Sequence, residues 1–243
     1  MQEALGYLVQ TDDGSLTACH PDYDEAFHSK QGALTEAESL YRDASGFAEH
    51  MTRAAEDEAR WGVLDLGLGL GYNALMTIET WWRCGGPVDL ELISLEHTAL
   101  LVKALADTAC EWKQGWSPEW RQWSQSLDCV DSTLWRASWR HPQSGRELKW
   151  QVQVGDARQA NLPEASLLYI WQDAFSPKKN PELWTPEWFA KLRRASRPDV
   201  CLVTYSVARV VKDSLHEAGW EYRLLKASQH KKQWLRAQLS AKV

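Results

Sequence analysis

Short apolar runs recur along the chain, with stretches of helical spacing or polar loops between them. Apolar runs of four to eight residues are typical of buried strands, and their alternation with helices predicts an α/β fold with a mostly parallel sheet. The predicted strands are Trp61–Leu66, Leu90–Glu96, Gln151–Val154, Leu167–Asp173 and Val200–Tyr205. The predicted helices between them are Tyr72–Arg83, Ala99–Cys110, Pro186–Arg194 and Val207–Ala218.

The two ends of the chain depart from this alternation. Gly219 is placed to end the last helix. The chain is then predicted to finish with an antiparallel hairpin, formed by Trp220–Lys226 and Gln233–Leu239. Residues 1–58 predict an N-terminal extension that packs on the core, with a turn at residues 12–14 and a helix from about Leu34. Residues 59–243 form the predicted core domain, with an insertion at about 110–150.

The insertion is rich in tryptophan, with seven of the chain's fifteen between Trp112 and Trp150. Ser117 has the character of an N-cap and Pro118 of a first helical residue, which predicts a helix from about Pro118 to Leu127. Its tryptophans would share one face. That face can be packed against the core, can stack on nucleic-acid bases, or can bind a protein partner.

Composition narrows the class of protein. The chain has no apolar run long enough to cross a membrane and no signal-peptide pattern at its start. Its five cysteines are scattered, which favours a reducing cytoplasm and argues against a disulfide framework or a zinc site, so no metal is predicted. The net charge is −6, so nucleic-acid binding would need a local basic patch.

A glycine-rich loop follows the first core strand with the pattern D-x-G-x-G-x-G. Glycines allow a tight turn and a close approach to a ligand, and the helix N-terminus behind them favours a negative group. Tyr72 stands where a dinucleotide-binding loop needs its third glycine, and Asp65 suits an ammonium better than a pyrophosphate. The candidate ligand-binding residues of this loop are Asp65, Gly67, Gly69, Gly71 and Asn73.

Two further acids stand at the ends of the next strands. Glu96 is placed to accept hydrogen bonds from ribose hydroxyls, and Asp156, after Gly155, is placed to take an adenine amino group. An ammonium, a carboxylate, a ribose and an adenine together describe S-adenosylmethionine. The sequence therefore predicts this cofactor.

The loop after the fourth core strand, Trp171–Trp184, is stiff and polar because it contains two prolines. It begins with a carboxylate, Asp173, at a strand's carboxyl end, where open α/β folds bind ligands. This loop, the glycine loop and the stretches Tyr23–Glu36 and Thr204–Gly219 together resemble the methyltransferase half of the bifunctional tRNA enzyme MnmC and its stand-alone relatives, called MnmD.

The resemblance implies a class I methyltransferase fold, a seven-stranded Rossmann-like sheet with a closing antiparallel hairpin. It implies methylation of the primary amine of 5-aminomethyl-(2-thio)uridine at the wobble position, with the tRNA anticodon region as partner. The 243 residues are too few for the oxidase half, so a separate flavin-dependent or other enzyme would supply the precursor. Asp173 matches the family's proposed catalytic acid and also adjoins the cofactor, and Ser29, Gly32 and Glu36 match a motif near the cofactor.

The acceptor side is predicted from the same loop, and the resemblance implies that Tyr205 and Ser206, at the end of the fifth strand, flank the acceptor pocket. Asp173 can orient the acceptor amine and take its proton, or it can cap the loop by bonding backbone N–H groups of residues 174–176. Phe175 can stack on a base or belong to the core. The other candidate substrate-binding residues are Ser176, Lys178, Lys179, Asn180, Tyr205, Ser206, Arg209, Lys231 and Lys232.

Two other functions stay open on the sequence alone. The chain can be a class I methyltransferase for another amine, on a small molecule or a protein, and the acidic net charge and the tryptophan-rich insertion are compatible with this. It can also be a non-catalytic S-adenosylmethionine-binding subunit, although the intact row of acids at the strand ends argues against a degenerate pocket.

Overall fold

The computed structural model describes residues 6–54, 60–227 and 233–240, and it begins with a small antiparallel sheet. Strands β1 (Leu8–Gln10), β2 (Leu16–His20) and β3 (Glu25–Ala26) pair in that order, and the predicted turn at residues 12–14 joins the first two. The sequence did not predict this sheet because its strands have only two to five residues.

A helical stretch connects the small sheet to the core. Helix α1 (Ala33–Glu36) begins close to the predicted Leu34 and runs directly into a π-helical segment, Ala37–Ala44. Helix α2 (Phe47–Arg53) follows after a left-handed turn at Gly46, whose φ is 81°.

The core is one large sheet with helices on both faces. Its strands are β4 (Arg60–Leu66), β5 (Asp89–Glu96), β6 (Asp128–Asp131), β7 (Leu134–Arg140), β8 (Glu147–Val154), β9 (Leu167–Gln172), β10 (Ser196–Thr204), β11 (Trp220–Lys226) and β12 (Gln233–Leu239). Its helices are α3 (Tyr72–Arg83), α4 (Ala99–Ala106), α5 (Pro118–Gln125), α6 (Pro186–Ala195) and α7 (Arg209–Glu217). The strand order is β11-β12-β10-β9-β4-β5-β8-β7-β6.

The predicted fold class is confirmed. Strands β4, β5, β8, β9 and β10 are parallel to their neighbours in this group, and the closing hairpin of β11 and β12 joins antiparallel to β10. Three element ends differ by four residues: β8 starts at Glu147 rather than Gln151, β10 starts at Ser196 rather than Val200, and α4 ends at Ala106 rather than Cys110.

The tryptophan-rich insertion widens the sheet from the expected seven strands to nine. Strands β6 and β7 form a hairpin that pairs antiparallel to β8. The predicted N-cap of α5 is present, because the Ser117 hydroxyl accepts the backbone N–H of Trp120 at 3.1 Å. Six of the seven tryptophans of this region are buried, namely Trp112, Trp116, Trp120, Trp123, Trp135 and Trp150. They pack in the core, so the base-stacking interpretation of this face is wrong.

The N-terminal extension covers one face of the large sheet. Tyr41 and Phe47 belong to the same buried cluster as Trp61 of β4 and Trp171 of β9. A second cluster on the other face packs α6 and α7 against the sheet. The predicted domain boundary at residue 58 lies outside the described residues, so the division into extension and core domain is kept as a proposal. Among the described helices, none combines the length and the apolar character that a membrane crossing requires.

Candidate active site at the carboxyl ends of the parallel strands

A cavity of about 500 Å³ opens at the carboxyl ends of β4, β5, β8 and β9. Gly67, Glu96, Gly155 and Asp173, which follow or end these four strands, contribute to its wall. Tyr23 and residues 25–30 of the extension close another side. The strand ends of an open parallel sheet are where ligands of this fold class bind, and the volume suits a small organic molecule.

The glycine loop makes a backbone cradle in this wall. Gly67 and Gly69 both have positive φ, 83° and 52°. A Cβ on Gly67 would lie 2.7 Å from the Asp173 carbonyl oxygen, so a side chain there would push two strand ends apart. Gly71 is not on the cavity wall; it begins α3 and packs against Leu105.

Glu96 lies on the wall beside this cradle and is held by backbone donors. Its Oε2 accepts the N–H of Gly69 at 2.9 Å and its Oε1 accepts the N–H of Thr98 at 2.8 Å. Burial raises the pKa of this carboxyl. The Glu96 carbonyl oxygen accepts the N–H of Gly155 at 2.8 Å, which ties the ends of β5 and β8 together.

Asp156 is also on the wall and keeps a charged partner. Its Oδ2 accepts from the Arg158 guanidinium at 2.7 Å, and this contact holds the pKa of the carboxyl below its usual range. Lys191 of α6 donates to the carbonyl oxygens of Arg158 and Ala160 at 2.8 and 2.7 Å. The turn that follows β8 is therefore fixed from both sides.

Asp65 does not reach the cavity wall, so the direct ammonium contact indicated by the sequence is not available in this arrangement. Its Oδ2 accepts from the Ser94 hydroxyl at 2.8 Å, and Ser94 in turn accepts from the Trp150 indole at 3.0 Å. Its Oδ1 has no hydrogen-bond partner among the described residues. Complete burial raises the pKa of Asp65 to about 7.

Asp173 lies on the wall, and both of its carboxylate oxygens are hydrogen-bonded. Tyr41 donates its hydroxyl to Oδ1 at 2.5 Å, and Asn73 donates its side-chain amide to Oδ2 at 2.8 Å. The loop-cap alternative is wrong, because these donors are side chains and not the N–H groups of residues 174–176. Withdrawal from bulk water, and then the charge of Glu36, raise the pKa of Asp173 to about 7.

The loop after Asp173 is clamped by three other elements. Glu25 of β3 accepts the Ser176 N–H at 3.1 Å and the Ser176 hydroxyl at 2.6 Å. Tyr205 donates its hydroxyl to the carbonyl oxygen of Ala174 at 2.9 Å, and the Trp184 indole donates to that of Phe175 at 2.8 Å. The position of this loop therefore depends on the small N-terminal sheet.

Phe175 belongs to an aromatic cluster on the cavity wall. It stacks on Tyr23, with ring centroids 4.4 Å apart and planes at 25°. His20 meets it edge-on at 5.5 Å, and Phe27 lies at 5.3 Å. Three of these four rings come from the extension, so the extension supplies most of the flat apolar surface available to a planar ring.

The remaining predicted residues divide into two groups. Ser29, Glu36, Asn180 and Tyr205 are on the cavity wall, and the Ser29 N–H donates to Glu36 Oε2 at 3.2 Å. Others are not on the wall, namely Gly32, Asn73, Ser176, Lys178, Lys179, Ser206 and Arg209. Of these, Asn73 and Ser176 act through Asp173 and Glu25, as described above. Lys231 and Lys232 lie outside the described residues.

Sequence reasoning missed Glu25 and Tyr41. Glu25 lies in the stretch Tyr23–Glu36 but was not singled out there, and Tyr41 lies in a segment without a motif. Each contacts the Asp173 loop more than 130 residues away along the chain. No local signal marks such a contact.

Comparison with known proteins identifies the family. The family model described as S-adenosyl-L-methionine-dependent methyltransferase matches residues 119–240, which is half of the chain. The chain belongs to this family. The predicted enzyme class and the predicted cofactor are thereby confirmed, and S-adenosylmethionine is the methyl donor of the family.

The chain is similar to proteins named tRNA 5-methylaminomethyl-2-thiouridine biosynthesis bifunctional protein MnmC. The protein from Paraburkholderia phytofirmans is 31% identical over 228 residues, which cover 89% of this chain and 32% of that protein. The protein from Azoarcus is 30% identical over 217 residues, covering 88% and 33%. The chain thus spans about a third of the length of the curated relatives it matches.

A solved structure is similar over nearly the whole chain. The crystal structure of MnmC2 from Aquifex aeolicus matches with a TM-score of 0.74 and 25% identity, covering 97% of this chain and 71% of that chain. The resemblance noted from the sequence is therefore confirmed.

The wall residues fit the methyl donor. The cradle at Gly67 and Gly69 leaves no room for a Cβ and offers backbone to a ligand. Glu96 and Asp156 present carboxylates on the same wall, as hydroxyl and amino groups of an adenosine require.

Proposed function

We propose that the chain transfers a methyl group from S-adenosylmethionine to the primary amine of 5-aminomethyl-(2-thio)uridine at the tRNA wobble position. The similarity to MnmC proteins over most of the chain supports the substrate. The observation that carries the chemistry is Asp173, a carboxylate on the wall of the cavity that holds the glycine cradle. We further propose that a separate enzyme in the cytoplasm supplies the aminomethyl precursor.

The donor half of the site would be formed by Gly67, Gly69, Glu96 and Asp156. S-adenosylmethionine, when bound, supplies an electrophilic methyl group on a sulfonium centre. The chain's own contribution is to fix the position of this group, since the Glu96 carboxylate already holds the Gly69 N–H. Such positioning contributes several kcal/mol in well-oriented reactions.

The acceptor half would be formed by Asp173 and the aromatic cluster. A primary alkylamine has a pKa of about 10 and is mostly protonated near neutral pH, whereas only the neutral amine can accept a methyl group. A carboxyl group whose pKa is about 7 can take the proton at a modest cost. The exposed face that the rings of Tyr23 and Phe175 offer suits a flat pyrimidine.

Contacts with the RNA backbone would be local, because the chain carries a net charge of −6. Lys178, Lys179 and Arg209 are exposed and lie in segments that follow the carboxyl ends of β9 and β10. Arg209 pairs with Asp213, which is also exposed, at 3.4 Å, and this pairing of little energetic weight can be replaced by a phosphate.

The test is transfer of labelled methyl groups to tRNA that carries the aminomethyl precursor, followed by nucleoside analysis. Label in the methylaminomethyl nucleoside is the expected result. Asp173→Asn should lose transfer and keep cofactor binding, whereas Asp199→Asn, an exposed carboxylate paired with Arg197, should behave as wild type. Cofactor binding with no label in tRNA would reject the proposal and favour another amine as acceptor.

A further inference from the structure

The π-helical segment brings two polar side chains to the same side of the extension. In an α-helix, residues five apart are rotated by about 140° from each other, at about 100° per residue. In a π-helix, which has about 4.4 residues per turn, the same residues differ by only about 50°. Glu36 stands immediately before the segment Ala37–Ala44, and Tyr41 is five residues later. Segments of this kind are frequently found at functional sites.

Both side chains act on Asp173, although Tyr41 itself is buried and is not on the cavity wall. Tyr41 bonds Asp173 Oδ1 at 2.5 Å, and Glu36 lies with Asp173 on the cavity wall. The Glu36 carboxylate is steadied by the Ser29 N–H at 3.2 Å. It lies close enough to Asp173 that its charge is the largest cause, after burial, of the raised pKa of that carboxyl.

The described groups that act on Asp173, or feel the charge of Asp173 or Glu36, are acidic or neutral, namely His28, Tyr41, Asp65, Asn73 and Tyr205. Asp13 and Glu25 act in turn on His28 and Tyr205. The cavity wall also carries Lys30 and Arg158. His28 has its pKa lowered to about 4 by burial, so it is neutral at neutral pH. A cation that enters between Glu36 and Asp173 would relieve the repulsion between the two carboxylates.

We infer that Glu36 is a second catalytic carboxylate of the acceptor site, which together with Asp173 binds the acceptor as an alkylammonium and prepares it for transfer. This inference rests on the proposed function. In the step, one N–H bond of the ammonium breaks and its electron pair stays on nitrogen. The proton moves to a carboxylate oxygen of Asp173, and the neutral amine is left as nucleophile. The pair also selects for a cationic acceptor over an uncharged amide or an anionic group.

The sequence resemblance placed Glu36 near the cofactor, whereas this inference places it at the acceptor. An experiment can separate these two roles. Glu36→Gln keeps an oxygen that can accept the Ser29 N–H, so the local backbone should be preserved. Glu38→Gln is the matched control, because Glu38 lies on the same segment, pairs with Arg42 at 2.8 Å and is not on the cavity wall. Cofactor affinity is measured by calorimetry, and kcat and KM for precursor tRNA are measured from about pH 6.5 to about pH 9.

The expected result for Glu36→Gln is unchanged cofactor affinity with a loss in kcat/KM of about tenfold or more near neutral pH. The loss should shrink as the pH rises, because more of the acceptor is then already neutral. Glu36→Asp should recover part of the activity, and Glu38→Gln should match wild type.

Two results would overturn this inference and leave the proposed function intact. One is a Glu36→Gln enzyme that labels tRNA as wild type does at every pH. The other is a loss that is equal at every pH and accompanied by weaker cofactor binding, which would assign Glu36 to the donor. If wild-type enzyme binds the cofactor but labels no tRNA, the proposed function fails and the inference fails with it.

Discussion

Removal of the Tyr41 hydroxyl should shift the pH dependence of methyl transfer to higher pH. Tyr41→Phe deletes the donor that lies 2.5 Å from Asp173 Oδ1 and leaves the ring against Trp171, with centroids 6.0 Å apart. Asn73 still donates to the other oxygen at 2.8 Å. The lost hydrogen bond stabilised the charged carboxylate, so the pKa of Asp173 must rise.

The magnitude follows from the energy of a hydrogen bond to a charged group. Such a bond contributes about 1.5–3 kcal/mol, and about 1.4 kcal/mol corresponds to one pKa unit. The pKa of Asp173, about 7 in the wild type, would therefore rise by about one to two units. At pH 7 the ionised fraction would fall from about one half to between about one tenth and one hundredth, and the transfer rate would fall by about five- to fiftyfold.

The assay is single-turnover methyl transfer across a pH series with saturating cofactor. Tyr169→Phe serves as control, because it removes a hydroxyl that bonds His50 at 2.8 Å in the same buried cluster but is not on the cavity wall. The control should keep the wild-type midpoint, and Tyr41→Phe should recover at high pH. If the Tyr41→Phe profile overlays that of the wild type, Tyr41 does not govern the ionisation of Asp173.

Two more predictions concern the glycine cradle and the buried acid beneath it. Gly67→Ala should weaken cofactor binding and lower the melting temperature, because the added Cβ would lie 2.7 Å from the Asp173 carbonyl oxygen at a φ of 83°; unchanged binding in calorimetry would contradict the cradle. Asp65→Asn should raise the melting temperature above that of the wild type, and the gain should be larger at about pH 8.5 than at about pH 5.5. The reason is that the pKa of Asp65 is about 7 in the folded state and about 3.9 in the unfolded state, so the wild type loses stability as the pH rises through the folded pKa. A difference in melting temperature that does not change with pH would refute the burial of an ionisable Asp65.

The sequence by itself determined the parallel part of the sheet, its closing hairpin and the line of strand-end acids. Apolar runs and helical spacing are local properties, so β4, β5, β9 and the hairpin of β11 and β12 were found almost to the residue. Glu96 and Asp173 follow from them, because the carboxyl ends of parallel strands share one edge.

The tertiary structure alone decided which side chains complete the site. Tyr41 reaches Asp173 from 132 residues away, and Glu25 reaches Ser176 from 151 residues away. The position of Glu36 relative to Tyr41 also depends on the winding of the π-helical segment that follows Glu36, which the spacing of apolar residues did not reveal. Likewise Trp120 could pack or stand exposed until its neighbours were known. A sequence pattern specifies which face of an element is apolar, but only the folded chain specifies what that face meets.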